Sequence, residues 1–141
     1  MTAFLDASLL AHALLPHQLT DEAVRAIDNA KQSGEELLVW DCHLVELLSV
    51  IRKFRNRGAF DHERAAETAQ RALGFGLDVV SASMTSLERG FDLASRLGQP
   101  DTFDSTGYVL ARELDADFWV SDRRFANAAV SAGLPGIRYV A

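Results

Sequence analysis

Three short apolar runs in this 141-residue chain end on an aspartate. Phe4-Leu5-Asp6, Val39-Trp40-Asp41 and Val120-Ser121-Asp122 each place a carboxylate just past a hydrophobic stretch and just ahead of a segment with helical period. If these runs are parallel strands, the acids lie along the carboxyl edge of the sheet, where open α/β sheets bind their ligands. Helix capping is the competing account, because Asp is a favoured N-cap residue, and for Asp41 it is the stronger one. Asp104 joins the group from the first turn of a later helix, where Gly107, Tyr108 and Ala111 follow at helical spacing and the small neighbours leave room around the carboxylate. Asp101 stands just before that helix and reads as its cap. Glu46 interrupts the most hydrophobic helical segment of the chain. On a helical wheel Ser49 and Lys53 fall beside it while Leu44, Leu48 and Ile51 lie away, so periodicity alone leaves Glu46 in solvent.

Carboxylates gathered from distant parts of a chain raise one another's pKa, and holding several together is costly unless a cation neutralises them. Oxygen ligands without His or Cys suit Mg2+ or Mn2+. The chemistry such ions serve is phosphoryl or phosphodiester transfer.

Bringing these acids together requires a sheet, and its parts are legible. Ala3-Phe4-Leu5, Leu37-Leu38-Val39-Trp40, Asp78-Val79-Val80-Ser81, Phe118-Trp119-Val120-Ser121 and Ile137-Arg138-Tyr139-Val140 read as strands. Helical period runs over 9–14, and from a Thr20 cap through the stripe Ala23, Val24, Ile27 and Ala30. It returns over 43–57, from Asp61 to Leu73, from a Thr85–Glu88 capping box to Gly98, over 103–114 and over 124–132. Strands separated by helices predict βαβ units around a parallel sheet, in one three-layer domain over residues 1–141. At 48% hydrophobic and 24% charged residues the composition is that of an ordinary globular protein. No apolar run is long enough to span a membrane, and the first residues do not read as a secretory signal. The single Cys42 forbids an intrachain disulfide and suits a reducing cytosol, so a cytoplasmic location is expected; Cys42 itself reads as a packed helix-start residue. A net charge of -6 argues against a protein that coats nucleic acid, but not against a metal-dependent enzyme that cuts it.

Taken in order, the acidic tags resemble the four motifs of the PIN-domain ribonucleases, and among them the VapC toxins of bacterial toxin–antitoxin pairs. Phe4-Leu5-Asp6-Ala7-Ser8 resembles the first, an acid at the end of strand one with Ser or Thr two residues on. Glu46, within His43-Leu44-Val45-Glu46-Leu47-Leu48, resembles the second, Phe103-Asp104-Ser105 the third, and Val120-Ser121-Asp122-Arg123-Arg124-Phe125 the fourth. Asp41 and Ser105 depart from the residues the family often has there, without removing an acid. The resemblance implies a three-layer α/β/α PIN-like fold with a central five-stranded parallel sheet, and a homodimer. It also implies a Mg2+- or Mn2+-dependent endoribonuclease that cleaves RNA phosphodiester bonds with metal-activated water. Asp6, Glu46, Asp104 and Asp122 would be its catalytic residues and hold one or two ions, with Ser8 orienting a carboxylate. The resemblance, and not the wheel, favours a site role for Glu46. A cognate antitoxin would cover the acidic cleft. Arg52, Lys53, Arg123 and Arg124 fit an RNA-binding rim, against the alternative of solvated helix ends.

Rival signals are poorer. His12, His17, His43 and His62 lack ligand spacing and read as ordinary polar residues. Trp40, Trp119, Phe4, Phe54 and Phe118 read as core. A phospho-acceptor signalling domain would need an acceptor Asp after the third strand and a Lys after the fifth, and neither is present. A catalytically silent PIN-fold protein-binding module is disfavoured by retention of all four acids.

Overall fold

A computed structural model describes residues 1–141 of the chain. Its five strands are β1 (Thr2–Leu5), β2 (Glu36–Trp40), β3 (Asp78–Val80), β4 (Asp117–Val120) and β5 (Ile137–Tyr139), in the spatial order β3-β2-β1-β4-β5. Every adjacent pair is parallel. The helices are α1 (Ala7–Leu14), α2 (Thr20–Gln32), α3 (Asp41–Asn56), α4 (His62–Leu73), α5 (Met84–Leu97), α6 (Phe103–Glu113) and α7 (Arg123–Ser131).

Side chains alternate across a strand, so β1 sends Ala3 and Leu5 to one face and Phe4 to the other. Ala3, Leu5, Leu37, Val39 and Trp119 form one core with Leu9 and Leu10 of α1, Ile27 of α2, Leu47 and Ile51 of α3, and Ala72 of α4. Phe4, Leu38, Trp40, Phe118 and Val120 form the second, under Leu93 of α5, Tyr108 and Leu110 of α6, and Phe125 of α7. The strands read as nearly unbroken hydrophobic runs because both faces of a parallel sheet are covered. The three-layer α/β/α arrangement with a five-stranded parallel sheet expected above is the one observed. No helix is long and apolar enough to cross a membrane.

Several local expectations change. The first helix opens at Ala7 and not Leu9, because the Asp6 carboxylate accepts from Leu9 N–H and caps it there. Thr20 does not cap α2; its hydroxyl donates to the Leu15 carbonyl and accepts from His17 N–H, closing the preceding turn. Ser83, not Thr85, caps α5, accepting from Ser86 N–H, so the capping box lies inside the helix. Val24 is exposed rather than part of the buried stripe. The rings of His12 and His17 stack with centroids 3.9 Å apart, since His17 lies past the end of α1 and folds back. The ring of His43 is fully buried against Trp40 and Phe118, a core position rather than an ordinary polar one.

Candidate active site

Site residues arrive from four elements. Asp6 terminates β1 and Asp122 terminates β4, and these strands are hydrogen-bonded neighbours, with Asp6 N–H donating to the Trp119 carbonyl at 3.1 Å. Both aspartates also cap helices, Asp6 for α1 and Asp122 for α7, where it accepts from Arg124 and Phe125 N–H. Capping and a place at the sheet edge are therefore not alternatives. The cap fixes the carboxylate at the point where strand gives way to helix. Ser8 ties the two strand ends together: its hydroxyl donates to Asp6 Oδ1 at 2.6 Å and accepts from Ser121 N–H at 3.1 Å.

A cavity of about 250 Å³ opens over this point, lined by Ser8, Glu46, Asp101, Phe103, Asp104 and Asp122 together with the apolar Ala7, Ala11, Leu47 and Val50. A second cavity, of about 310 Å³, shares Asp101, Asp104 and Asp122 and adds Gln99, Pro100 and Arg124. Glu46, Asp104 and Asp122 thus face a common space from α3, α6 and the end of β4. Glu46 is half-buried beside α1, a neighbour that a wheel of α3 alone does not contain. Asp6 lies beneath this space with no exposed surface. Its Oδ1 is taken by Ser8 and Leu9, while Oδ2 is buried without a partner.

Burial pushes the Asp6 carboxyl up from 3.8 to about 7, with the neighbouring Asp122 and Glu46 adding to the shift that the Ser8 and Leu9 bonds oppose. Burial also raises Asp104, to about 8, helped by the charges of Asp6, Asp122, Asp101 and Glu46. Glu46 is raised by burial and by Asp101, and held back by Lys53. The acids thus feel one another across the cavity, as like charges in a poorly solvated space must.

Asp41 takes no capping role by side chain; it opens α3, and its Oδ2 accepts from the Ser81 hydroxyl at 3.1 Å. Asp101, read above only as a cap, accepts from Phe103 N–H and also lines both cavities. Gly107 does not make room for Asp104. A Cβ there would stand 2.6 Å from His43 Cε1, so the glycine admits that ring and Phe118. His43 Nε2 in turn donates to the Phe103 carbonyl at 3.3 Å, and burial depresses this imidazole to about 4, which keeps it neutral. Nothing in its spacing signalled this role; only the apolar neighbours of α3 hint at burial.

The basic residues divide. Arg124 lines the second cavity and Lys53 acts on Glu46. Arg52 lines a separate groove between α3 and α4, and Arg123 turns to β5, where its Nε donates to the Tyr139 hydroxyl at 3.3 Å.

The donor set is all oxygen, which suits Mg2+ or Mn2+. No three acidic side chains stand close enough to enclose an ion by themselves. Mg2+ keeps several waters and takes one or two carboxylates plus substrate phosphate oxygens, so it would not need three. The unpartnered Asp6 Oδ2 and the raised Asp104 carboxyl are what a cation would relieve.

Solved structures with this fold include VapC20 of Mycobacterium tuberculosis, described as a sarcin-ricin loop cleaving toxin, at a TM-score of 0.69 and 18% identity over 96% of this chain and 98% of that one. VapBC2 of Rickettsia felis, bound to a DNA fragment from its promoter, has a TM-score of 0.72 and 14% identity over 100% of both chains. A toxin–antitoxin complex from Klebsiella pneumoniae has a TM-score of 0.68 and 15% identity over 96% of this chain and 95% of that one. These likenesses are of fold. No curated protein matches in sequence. The PIN domain matches residues 3–131, which takes in both strand-end acids, Glu46 and Asp104. On that match the chain belongs to the PIN domain family.

Proposed function

We propose that this chain is a divalent-metal-dependent endoribonuclease and the toxin of a toxin–antitoxin pair, working as one PIN-like domain over residues 1–141. The observation that carries the reading is the common cavity of Glu46, Asp104 and Asp122 above a buried Asp6 whose Oδ2 has no partner. Asp6, Glu46, Asp104 and Asp122 would hold one or two Mg2+ or Mn2+ ions, directly or through water. Such an ion, when bound, supplies a nucleophilic water and neutralises charge on the phosphoryl oxygens.

The chain's own residues do the rest. Ser8 and Leu9 N–H hold Asp6 Oδ1, so only Oδ2 remains uncommitted. Burial and the surrounding acids push the Asp104 carboxyl up to about 8, and a bound cation would favour its ionised form. Lys53 steadies the charge of Glu46, and Arg124 stands where a phosphate leaving the acids would next be met. The resemblance to toxin–antitoxin complexes supports an antitoxin partner; in this reading it covers the acidic cleft of a cytoplasmic homodimer.

Cleavage of a labelled RNA by the purified protein with Mg2+, with Mn2+ and with EDTA tests this, comparing wild type with Asp6→Asn and Asp104→Asn. Cleavage is expected only in wild type with metal. Equal cleavage in EDTA and in both variants would overturn the reading.

A further inference from the structure

We propose that Phe103 is a stacking platform for the nucleobase beside the scissile phosphate, so that the substrate must present an unpaired base there. The proposal deepens the nuclease reading and rests on it. Phe103 leaves 41% of its surface exposed, unusual for a phenylalanine but not unique here, since Phe91 is more exposed. What sets Phe103 apart is its place: it lines the same cavity as Glu46, Asp104 and Asp122. Its position is fixed at both ends of the residue. The Phe103 N–H donates to Asp101 Oδ1 at 3.2 Å, and its carbonyl accepts from His43 Nε2 at 3.3 Å. Behind it lies Trp40, with ring centroids 6.3 Å apart and the planes at 48°. The remaining walls include the apolar Ala7, Ala11, Leu47 and Val50.

At about 250 Å³ the cavity falls below the range for a drug-sized ligand and suits one planar base, not a helical segment of RNA. Aromatic rings take unstacked bases with little dependence on sequence, because every base has a π-face. A base held in a duplex cannot reach the ring. The strand would then run from a base on Phe103, past its phosphate at the acids, toward Arg124 and Gln99 in the adjoining cavity.

The test is a chemical double-mutant cycle with a single-stranded RNA oligonucleotide whose cleavage site in wild-type protein has been mapped. Each nucleotide flanking the site is replaced in turn by an abasic one, and kcat/KM is measured for wild type, Phe103→Ala, Phe103→Leu and Phe103→Tyr. Removing one flanking base should lower wild-type kcat/KM by about 5- to 160-fold, the range of base–aromatic stacking. Phe103→Ala should lower it similarly on the intact RNA and add almost nothing on the abasic one, while Phe103→Tyr stays close to wild type. Loss without coupling to any abasic position would overturn the proposal, as would loss of RNA-independent properties such as oligomeric state with kcat/KM unchanged. A wild-type protein that cleaves no RNA would instead defeat the nuclease reading.

Discussion

Asp6→Asn separates the electrostatic account of the site from a purely structural one. Asn retains Oδ1, and with it the bonds from Ser8 and Leu9, but it cannot ionise. In the wild-type fold the carboxyl lies at about 7, against an ordinary 3.8. The folded state therefore holds a proton that the unfolded chain has lost across this interval, and stability falls as pH rises through it. At about 1.4 kcal/mol for each pH unit, ionised Asp6 costs the metal-free fold roughly 4 kcal/mol by pH 8 and little at pH 4. The new Nδ2 amide takes the place of the unpartnered Oδ2, which costs about 1–3 kcal/mol, but that cost is the same at every pH.

Urea unfolding in EDTA, followed by the fluorescence of the buried Trp40 and Trp119, gives the two stabilities. The advantage of Asp6→Asn over wild type is expected to grow by about 4 kcal/mol from pH 4 to pH 8, whatever its starting value. Adding Mg2+ at pH 8 should stabilise wild type and narrow the gap. Parallel pH profiles, with the gap constant to within about 1 kcal/mol, would refute the reasoning, since Asp6 would then not be an acid forced to ionise in a buried place.

Ser8→Ala leaves Ser121 N–H without its acceptor and Asp6 Oδ1 without its hydroxyl donor, so a loss of about 1–3 kcal/mol in urea unfolding and reduced cleavage are expected. Gly90→Ala puts a Cβ 2.8 Å from Thr106 Cα, backbone that cannot swing aside, so α5 and α6 must part. The gain of about 1 kcal/mol in helix propensity should be outweighed by overpacking, and Tm should fall. Arg124→Gln, at the edge of the second cavity, should weaken RNA binding at low salt and reduce the slope of log affinity against log salt by about 0.7, measured by fluorescence anisotropy. An unchanged slope would remove Arg124 from the RNA path.

Much of this site is legible in the chain because its information is local. An apolar run, an acid and a helical period occur within ten residues at both Asp6 and Asp122, and parallel pairing then aligns their ends. Glu46 is different. Its surroundings come from α1 and α6, which the wheel of α3 does not include, and family resemblance rather than periodicity pointed to it. Helix caps are hard to read from sequence for a similar reason. Thr20 and Ser83 both have cap-like side chains, but only Ser83 aims its oxygen at a free helix N–H, while Thr20 spends its hydroxyl on Leu15. Gly107 and His43 show the limit most plainly: the missing side chain of one accommodates the ring of the other, sixty-odd residues away in sequence.

The hydrogen bond from Ser121 N–H to Ser8 Oγ joins residues 113 apart, and it sets an order of events during synthesis. As the chain leaves the ribosome, β1, β2 and β3 can pair while the place of β4 beside β1 stays vacant. In that interval Asp6 has neither the Trp119 carbonyl on its N–H nor Asp122 as a neighbour. A chain in which β4 has not yet paired is therefore incomplete at the candidate site. Completion of the sheet and completion of the acidic cluster are therefore a single event, set by the arrival of β4 beside β1.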